Sequence, residues 1–440
     1  MKALRLYQFC TVKSVTKRSL AYTTREKAWL SNIYANSLKL PSGYEKNELL
    51  AMLSSIKPDT INLQQTKCLV NFIAQSALRK HNHEKTVEAF NNVISQSYDK
   101  LFIDSIKSYS DFETGMQLLT CLSNLQIYDS SVYQAVLKVA SDNLNSIIKD
   151  AKTHFLPDLV WSFVKIEQHG QHSQLFELFL KTALNASNEF SVSKKLALLW
   201  LVSSFDYNYL TTDDCFKKLV ESVSSLSYQN FSFNGKNCNY ILQAFISLYP
   251  ETLSDVTSYR YIYPKNSSTE ATNEFEMFRR LANISIAFQL KNNRSDSLDY
   301  SPSYVTEDGH QFLIQHKAAF YNASSTEKKF CHLLQNALNT INVKQNINYC
   351  FFELDFLVND ELPVELDGAA HFVYKVARKA PYWSVYRSTE KLVKTKVKAD
   401  YCRRLGLQEL VSLDWDFFFG PKALNYDGKI DLIRESIKPK

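Results

Sequence analysis

A stacked α-helical repeat array, an α-solenoid, followed by a small α/β domain is the architecture this sequence predicts. Three observations predict it. Between about residues 45 and 260 apolar residues recur with the helical period, and few Gly or Pro interrupt them. Within that stretch four apolar blocks, LLTCLSNL, LVWSFVKI, LLWLVSSF and ILQAFISL, begin at Leu118, Leu159, Leu198 and Ile241, so their starts lie 41, 39 and 43 residues apart. After about residue 319 short runs rich in aromatic and β-branched residues alternate with helical ones, as in an α/β unit. A chain of 440 residues is also too long for one ordinary core and predicts two or three folded units.

At the amino terminus, MKALRLYQFCTVKSVTKRSLAYTTREK places six Lys or Arg before the first acid, Glu26, among hydroxyl residues and scattered apolar ones. Basic, hydroxyl-rich and acid-poor is the composition of a mitochondrial transit peptide, expected here over residues 1–30 with the matrix as destination. Lys13, Lys17 and Arg18 break any apolar run long enough for a secretory signal, and a plain basic tail is the other reading.

The helical-hairpin repeat domain follows at 45–260. Each apolar block is succeeded by a polar turn and a second amphipathic helix, such as SQLFELFLKTAL or DDCFKKLVESV. One such hairpin cannot bury its own apolar face, whereas a stack makes a continuous core and a long concave surface. A weaker copy is expected near Cys68, in CLVNFIAQ, and an irregular helical domain with helices of equal length is the alternative. Trp161 and Trp200 hold equivalent places in their blocks, which favours packing over base stacking for both. Residues 261–318 are polar and Ser/Asn-rich, a linker enclosing one short helix, EMFRRLANISIAFQL.

The last domain, 319–440, begins with SSTEKKFCHLLQNALNTI, a helix opened by Ser325 or Thr326 with Glu327 in its first turn. YCFFELDFLV and LPVELDGAAHFV follow as strands joined through a turn at NDE. A long basic helix from about Lys391 to Leu405 then leads to ELVSLDWDFF, a further buried strand.

Composition bounds what these parts can do. Net charge is only +6, so affinity for a polyanion must come from local clustering. Eight cysteines show neither a C-x-x-C pair nor zinc-ligand spacing and are expected as reduced, mostly buried thiols. No stretch approaches the roughly 18 consecutive apolar residues of a membrane-spanning helix.

Chemistry concentrates near the carboxy terminus. Asp355 and Glu365 lie on neighbouring expected strands, and Asp367, two residues on, shares the face of Glu365. Three such carboxylates can bind Mg²⁺, which can generate hydroxide for phosphodiester cleavage with His371 as proton carrier. The other reading makes Asp367-Gly368 a turn, Asp355 and Glu365 a solvated end of the sheet, and His371 a packing residue. Beside them, residues 375–404 hold ten Lys or Arg against Glu390 and Asp400. The basic residues are Lys375, Arg378, Lys379, Arg387, Lys391, Lys394, Lys396, Lys398, Arg403 and Arg404, interleaved with Tyr374, Tyr382, Trp383 and Tyr386. Such a local excess neutralises phosphates, and the rings stack single-stranded bases. A solvated helix face with a few buried rings is the competing account.

The run LDFLVNDELPVELDGAAHF, then LVKTKVKADYCRRLGLQELVSLDWDFF, resembles the RAP domain, whose pattern is an Asp on one strand and E-x-D-G-x-x-H-F on the next. A Lys-bearing helix ending in Leu-Gly, a strand and a Trp complete it. The matching positions are Asp355, Glu365, Asp367, Gly368, His371, Phe372, Lys398, Leu405, Gly406 and Trp415. The repeats are similar to those preceding RAP domains in organellar RNA-binding proteins of the Fas-activated serine/threonine kinase-like, octotricopeptide and heptatricopeptide repeat groups. The resemblance implies a restriction-endonuclease-like fold, with Asp367 in place of that superfamily's usual lysine. It also implies a role in processing, stability or translation of mitochondrial transcripts or in mitoribosome assembly. The partners implied are single-stranded or structured RNA, ribosomal RNA or mitoribosomal proteins. A non-catalytic domain needs no cofactor, whereas a nuclease would use Mg²⁺ on the three carboxylates. No glycine-rich phosphate loop or H-R-D segment supports a kinase.

Overall fold

The computed structural model describes residues 50, 51, 53, 54, 66, 69, 70, 73, 82–94, 101, 102, 104, 106–166, 170–204, 210, 213–224, 235–248, 281, 282, 325–349, 352–379, 382–404 and 406–437. The expected transit peptide, most of the copy near Cys68, and the linker with its short helix apart from residues 281 and 282 lie outside them.

In chain order the helical part runs α1 (His83–Ile94), α2 (Phe112–Asn124), the short strand β1 (Ile127–Tyr128), α3 (Ser130–Asp142), α4 (Leu144–Lys149) and α5 (Leu156–Lys165). It continues as α6 (Ser173–Asn185), α7 (Val192–Ser204), α8 (Asp214–Ser224) and α9 (Gly235–Leu248). Then come α10 (Ser325–Leu338), β2 (Val343–Tyr349), β3 (Phe352–Val358), β4 (Leu362–Asp367), β5 (Phe372–Lys379) and β6 (Tyr382–Lys391). The chain closes with α11 (Val393–Arg404), β7 (Val411–Asp414), the single turn α12 (Trp415–Phe418) and α13 (Tyr426–Ile437). The protein is mostly helical, with two small mixed sheets in its carboxy-terminal region. No described helix is long and apolar enough to cross a membrane.

Two compact units divide the chain, one of residues 1–144 with 369–391, the other of residues 145–368 with 392–440. In the first, α2 and α3 form a hairpin. Gly115 lets them approach, because a Cβ there would stand 3.2 Å from Val136 Cγ2 and 3.3 Å from Ile106 Cγ2. Asp129 caps α3 by accepting the Ser131 N–H at 2.9 Å. The sheet of this unit is ordered β1-β5-β6, with β1 parallel to β5 and β6 antiparallel to it, and α1 packs on β6.

In the second unit the three expected blocks fall on α5, α7 and α9. Pro157 opens α5, where a missing N–H is harmless. α7 is apolar around most of its circumference, so it is buried on several sides, against α5, α6, α8 and α9. Trp161 meets Trp200 edge-on with ring centroids 4.5 Å apart, and Trp200 stacks on Tyr240 at 4.8 Å. Alternate helices α5, α7 and α9 thus contribute one large ring each, and packing is the role of Trp200, as expected. Lys194 pairs with Asp158 of α5, and Lys195 donates to Ser222 Oγ of α8 at 2.6 Å.

The sheet of this unit has the order β2-β3-β4-β7, antiparallel except for the parallel β4–β7 pair. Phe330, Leu333, Leu334 and Ala337 of α10 pack with Phe356, Val358, Val364, Leu413, Phe418, Ile430 and Ile433 on one face. Cys402 of α11 packs with Leu354, Leu357 and Leu407 on the other. The turn expected at NDE joins β3 to β4, with Asn359 and Asp360 at φ +51° and +63°. Three boundaries differ from the sequence expectation. Lys391 ends β6 rather than opening the basic helix; ELVSLDWDFF turns helical at Trp415; and LPVELDGAAHFV is not one strand, because β4 stops at Asp367 and Phe372 starts β5 in the other sheet.

Candidate functional site

The expected carboxylates come together in the second unit, at the end of the β3–β4 ladder. Backbone pairing between these strands reaches Phe356↔Val364. Beyond it, side chains take over the ladder. Glu365 Oε1 accepts the Asp355 N–H at 3.1 Å, and Asp355 Oδ2 accepts the Leu366 N–H at 2.9 Å. The distortion extends to β2, where Asn346, between the Gln345–Phe356 and Ile347–Leu354 pairs, adopts φ +48°. On the other side of β4, Glu365 and Asp367 pair in parallel register with Ser412 and Asp414, and the Ser412 hydroxyl donates to Asp367 Oδ2.

These carboxylates are not a solvated end of the sheet. Glu365 is 2% exposed and Asp367 0%, and Asp355 is half-buried. Positive charge reaches them from α11, where Lys394 and Lys398 lie one turn apart and so on one face. Lys398 Nζ donates to Glu365 Oε2 at 2.6 Å. Burial pushes the Glu365 carboxyl up, to about 7, against the opposing pull of Lys398 and helped by the Asp355 charge. Lys394 is exposed over much of its length, yet loss of water around its ammonium, and then the Lys398 charge, draw it below the lysine range, while Asp367, Glu365 and Asp355 pull it back. Cys402, one turn beyond Lys398, is fully buried and burial pushes its thiol up to about 12, which leaves it unreactive.

A divalent ion of the kind expected on Asp355, Glu365 and Asp367 requires carboxylate oxygens open to it. Here both Glu365 oxygens, one of Asp355 and one of Asp367 accept hydrogen bonds from protein donors, and two ammoniums stand beside them. As built, the donor set does not fit the ion. Among the described residues no group of three or more His, Cys, Asp or Glu is arranged to hold a metal. His371 ends the 3-10 turn Ala369–His371 in the first unit, half-buried.

The expected basic cluster is divided. Lys394, Lys396, Lys398, Arg403 and Arg404 lie on α11, while Lys375, Arg378, Lys379, Tyr382, Trp383, Tyr386, Arg387 and Lys391 lie on the β5–β6 hairpin of the first unit. Five of the seven cross-strand pairs of the hairpin join one basic and one aromatic residue. Lys375 faces Tyr386, Arg378 faces Trp383, Lys379 faces Tyr382, Tyr374 faces Arg387 and Phe372 faces Lys391. Tyr386 is 49% exposed, and Lys375 beside it pairs with Glu390. The Arg387 guanidinium lies 4.0 Å from the centre of the Phe372 ring and the Lys391 ammonium 5.8 Å. Tyr374, by contrast, is buried against His83, their rings 5.3 Å apart, and its N–H donates to the Gln126 carbonyl at 2.8 Å. It is a core residue and not a stacking platform.

Ser412, Lys394 and Asn346 were not singled out as site residues of the carboxylate cluster from the sequence, although Lys394 was expected to contact RNA. Ser412 carried one signal, a lone hydroxyl residue in the apolar run LVSLDW. The chain matches no protein-family model, and no curated protein matches it.

Proposed function

We propose that this chain is a mitochondrial RNA-binding protein whose helical hairpins stack as a solenoid and whose carboxy-terminal region is a non-catalytic, RAP-like domain of restriction-endonuclease-like type. The observation that carries this reading is the β5–β6 hairpin, where five of seven cross-strand pairs join a basic and an aromatic residue. Phosphates of a single strand are neutralised by Lys375, Arg378, Lys379, Arg387 and Lys391, while the exposed Tyr386 ring offers a stacking face to its bases. Duplex RNA, with its bases already stacked, uses such a surface poorly. Lys396 and Arg403 of α11, both exposed, extend the basic contact. Against a nuclease stands the engagement of the carboxylates with Lys398, Ser412 and backbone N–H groups.

Labelled single-stranded RNA incubated with the protein in Mg²⁺, in EDTA and with Asp355→Ala tests both halves of the proposal. Retention without Mg²⁺-dependent cutting is expected. Cutting that disappears in EDTA and in Asp355→Ala would replace it with a metal-dependent endoribonuclease, the reading favoured by the convergence of three carboxylates. A fusion of residues 1–40 to a fluorescent reporter is expected in the mitochondrial matrix, and a cytosolic reporter would remove the organellar part.

A further inference from the structure

Beside the end of the β3–β4 ladder, three carboxylates face two lysine ammoniums. We infer that Lys398, seconded by Lys394, is the built-in cation of this centre and holds Asp355, Glu365 and Asp367 in a closed arrangement that excludes divalent metal. Lys398 Nζ stands 2.6 Å from a carboxylate that is 2% exposed, the length of a strong charge-assisted hydrogen bond. A carboxylate so buried requires a partner, and the Lys398 ammonium, hydrogen-bonded to Glu365 Oε2, already occupies the oxygen and supplies the charge that a divalent ion would have to provide there. The remaining contacts favour the ammonium. If Asp355 turned toward a metal the Leu366 N–H would lose its acceptor, and if Glu365 did the Asp355 N–H would lose its own. Both contacts stand where the β3–β4 backbone pairing has ended, at Phe356 and Val364, so on that side the carboxylates serve in place of the ladder.

The inference concerns this chain's own charges and stands whether or not it binds RNA. It also gives Lys398 a positioning role, because the lysine ties α11 to β4. Lys396 and Arg403, at other positions around α11, are exposed, and Arg403 pairs with Asp400 of the same helix.

The test is Mn²⁺ binding, followed by electron paramagnetic resonance on the full chain, together with melting temperatures in EDTA and in millimolar Mn²⁺. The unaltered protein is expected to bind no Mn²⁺ that depends on Asp355 and to melt at the same temperature in both solutions. Lys398→Met is expected to lower the melting temperature by several degrees and Lys398→Arg by less. The double variant Lys398→Met with Glu365→Gln is expected to recover part of the loss, because it removes the stranded charge along with its partner. Mn²⁺ binding lost in Asp355→Asn overturns the inference, and binding indifferent to that change meets the expectation for this site. A Lys398→Met protein as stable as the original also overturns it, as does a double variant no more stable than Lys398→Met. Should Lys398→Met fail to fold, the double variant decides: folding supports the inference and failure overturns it.

Discussion

Glu365 illustrates how surroundings override a side chain's ordinary chemistry. Its carboxyl, near 4.5 in an unfolded chain, is raised to about 7 by burial. Between those values the folded protein keeps a proton that the unfolded chain has released. The contribution is therefore fully present below about pH 4.5 and lost as pH rises through 7, by roughly 3 kcal/mol at most. Glu365→Gln, which cannot ionise but still accepts the Asp355 N–H, is expected to flatten the fall in stability across that window, measured by urea unfolding at a series of pH values. At the core of the same unit Phe330 touches Phe356 and Phe418 at centroid distances of 5.2 and 4.9 Å with no exposure. Phe330→Ala should cost about 3–5 kcal/mol by the same method. Alternation alone placed Glu365 and Asp367 on one face. The partner of Glu365 is Lys398, 33 residues away across a hairpin that belongs to the other unit, and no local period points to it.

Among the elements, α11 and the hairpin before it divide between them the basic stretch of residues 375–404. The strand character of YWSVYRSTEK lies in its β-branched and aromatic residues, and lysines on both sides of it obscured the boundary at Leu392. Within α11 the lysines have separate tasks. Lys398→Glu should unfold or strongly destabilise the protein by setting a third charge beside Glu365 and Asp355. Lys396→Glu with Arg403→Glu, both exposed, should leave the melting temperature nearly unchanged and weaken RNA retention at low salt. The helix ends where Gly406 takes φ +77° and the Leu407 N–H bonds the Cys402 carbonyl at 3.0 Å. Gly406→Ala is expected to cost about 1 kcal/mol through that left-handed backbone, read as a lowered unfolding midpoint. The Leu-Gly at the end of the basic run announced this terminus. β1 had no such signal, since two residues are too few to show alternation, and tertiary pairing with β5 is what makes them a strand.

For the molecule as a whole, the helical and mixed classes were legible because periods of 3.6 and 2 persist over many residues. The division into units was not, because it depends on which distant segments touch. Residues 369–391 leave one unit to complete the other, and Gly368 and Leu392 mark the two crossings. β1, Gln126 and His83 all find partners on that inserted segment, through the Ile127↔Tyr374 pair, the Gln126 side chain on the Ala370 carbonyl, and the His83–Tyr374 ring contact. The hairpin also has a timetable. At about 5–20 residues per second a ribosome takes on the order of ten to fifty seconds to travel from Leu144 to Lys391. Until residues 369–391 have been made, the strand that β1 pairs with does not exist, so this unit completes its sheet only late in synthesis.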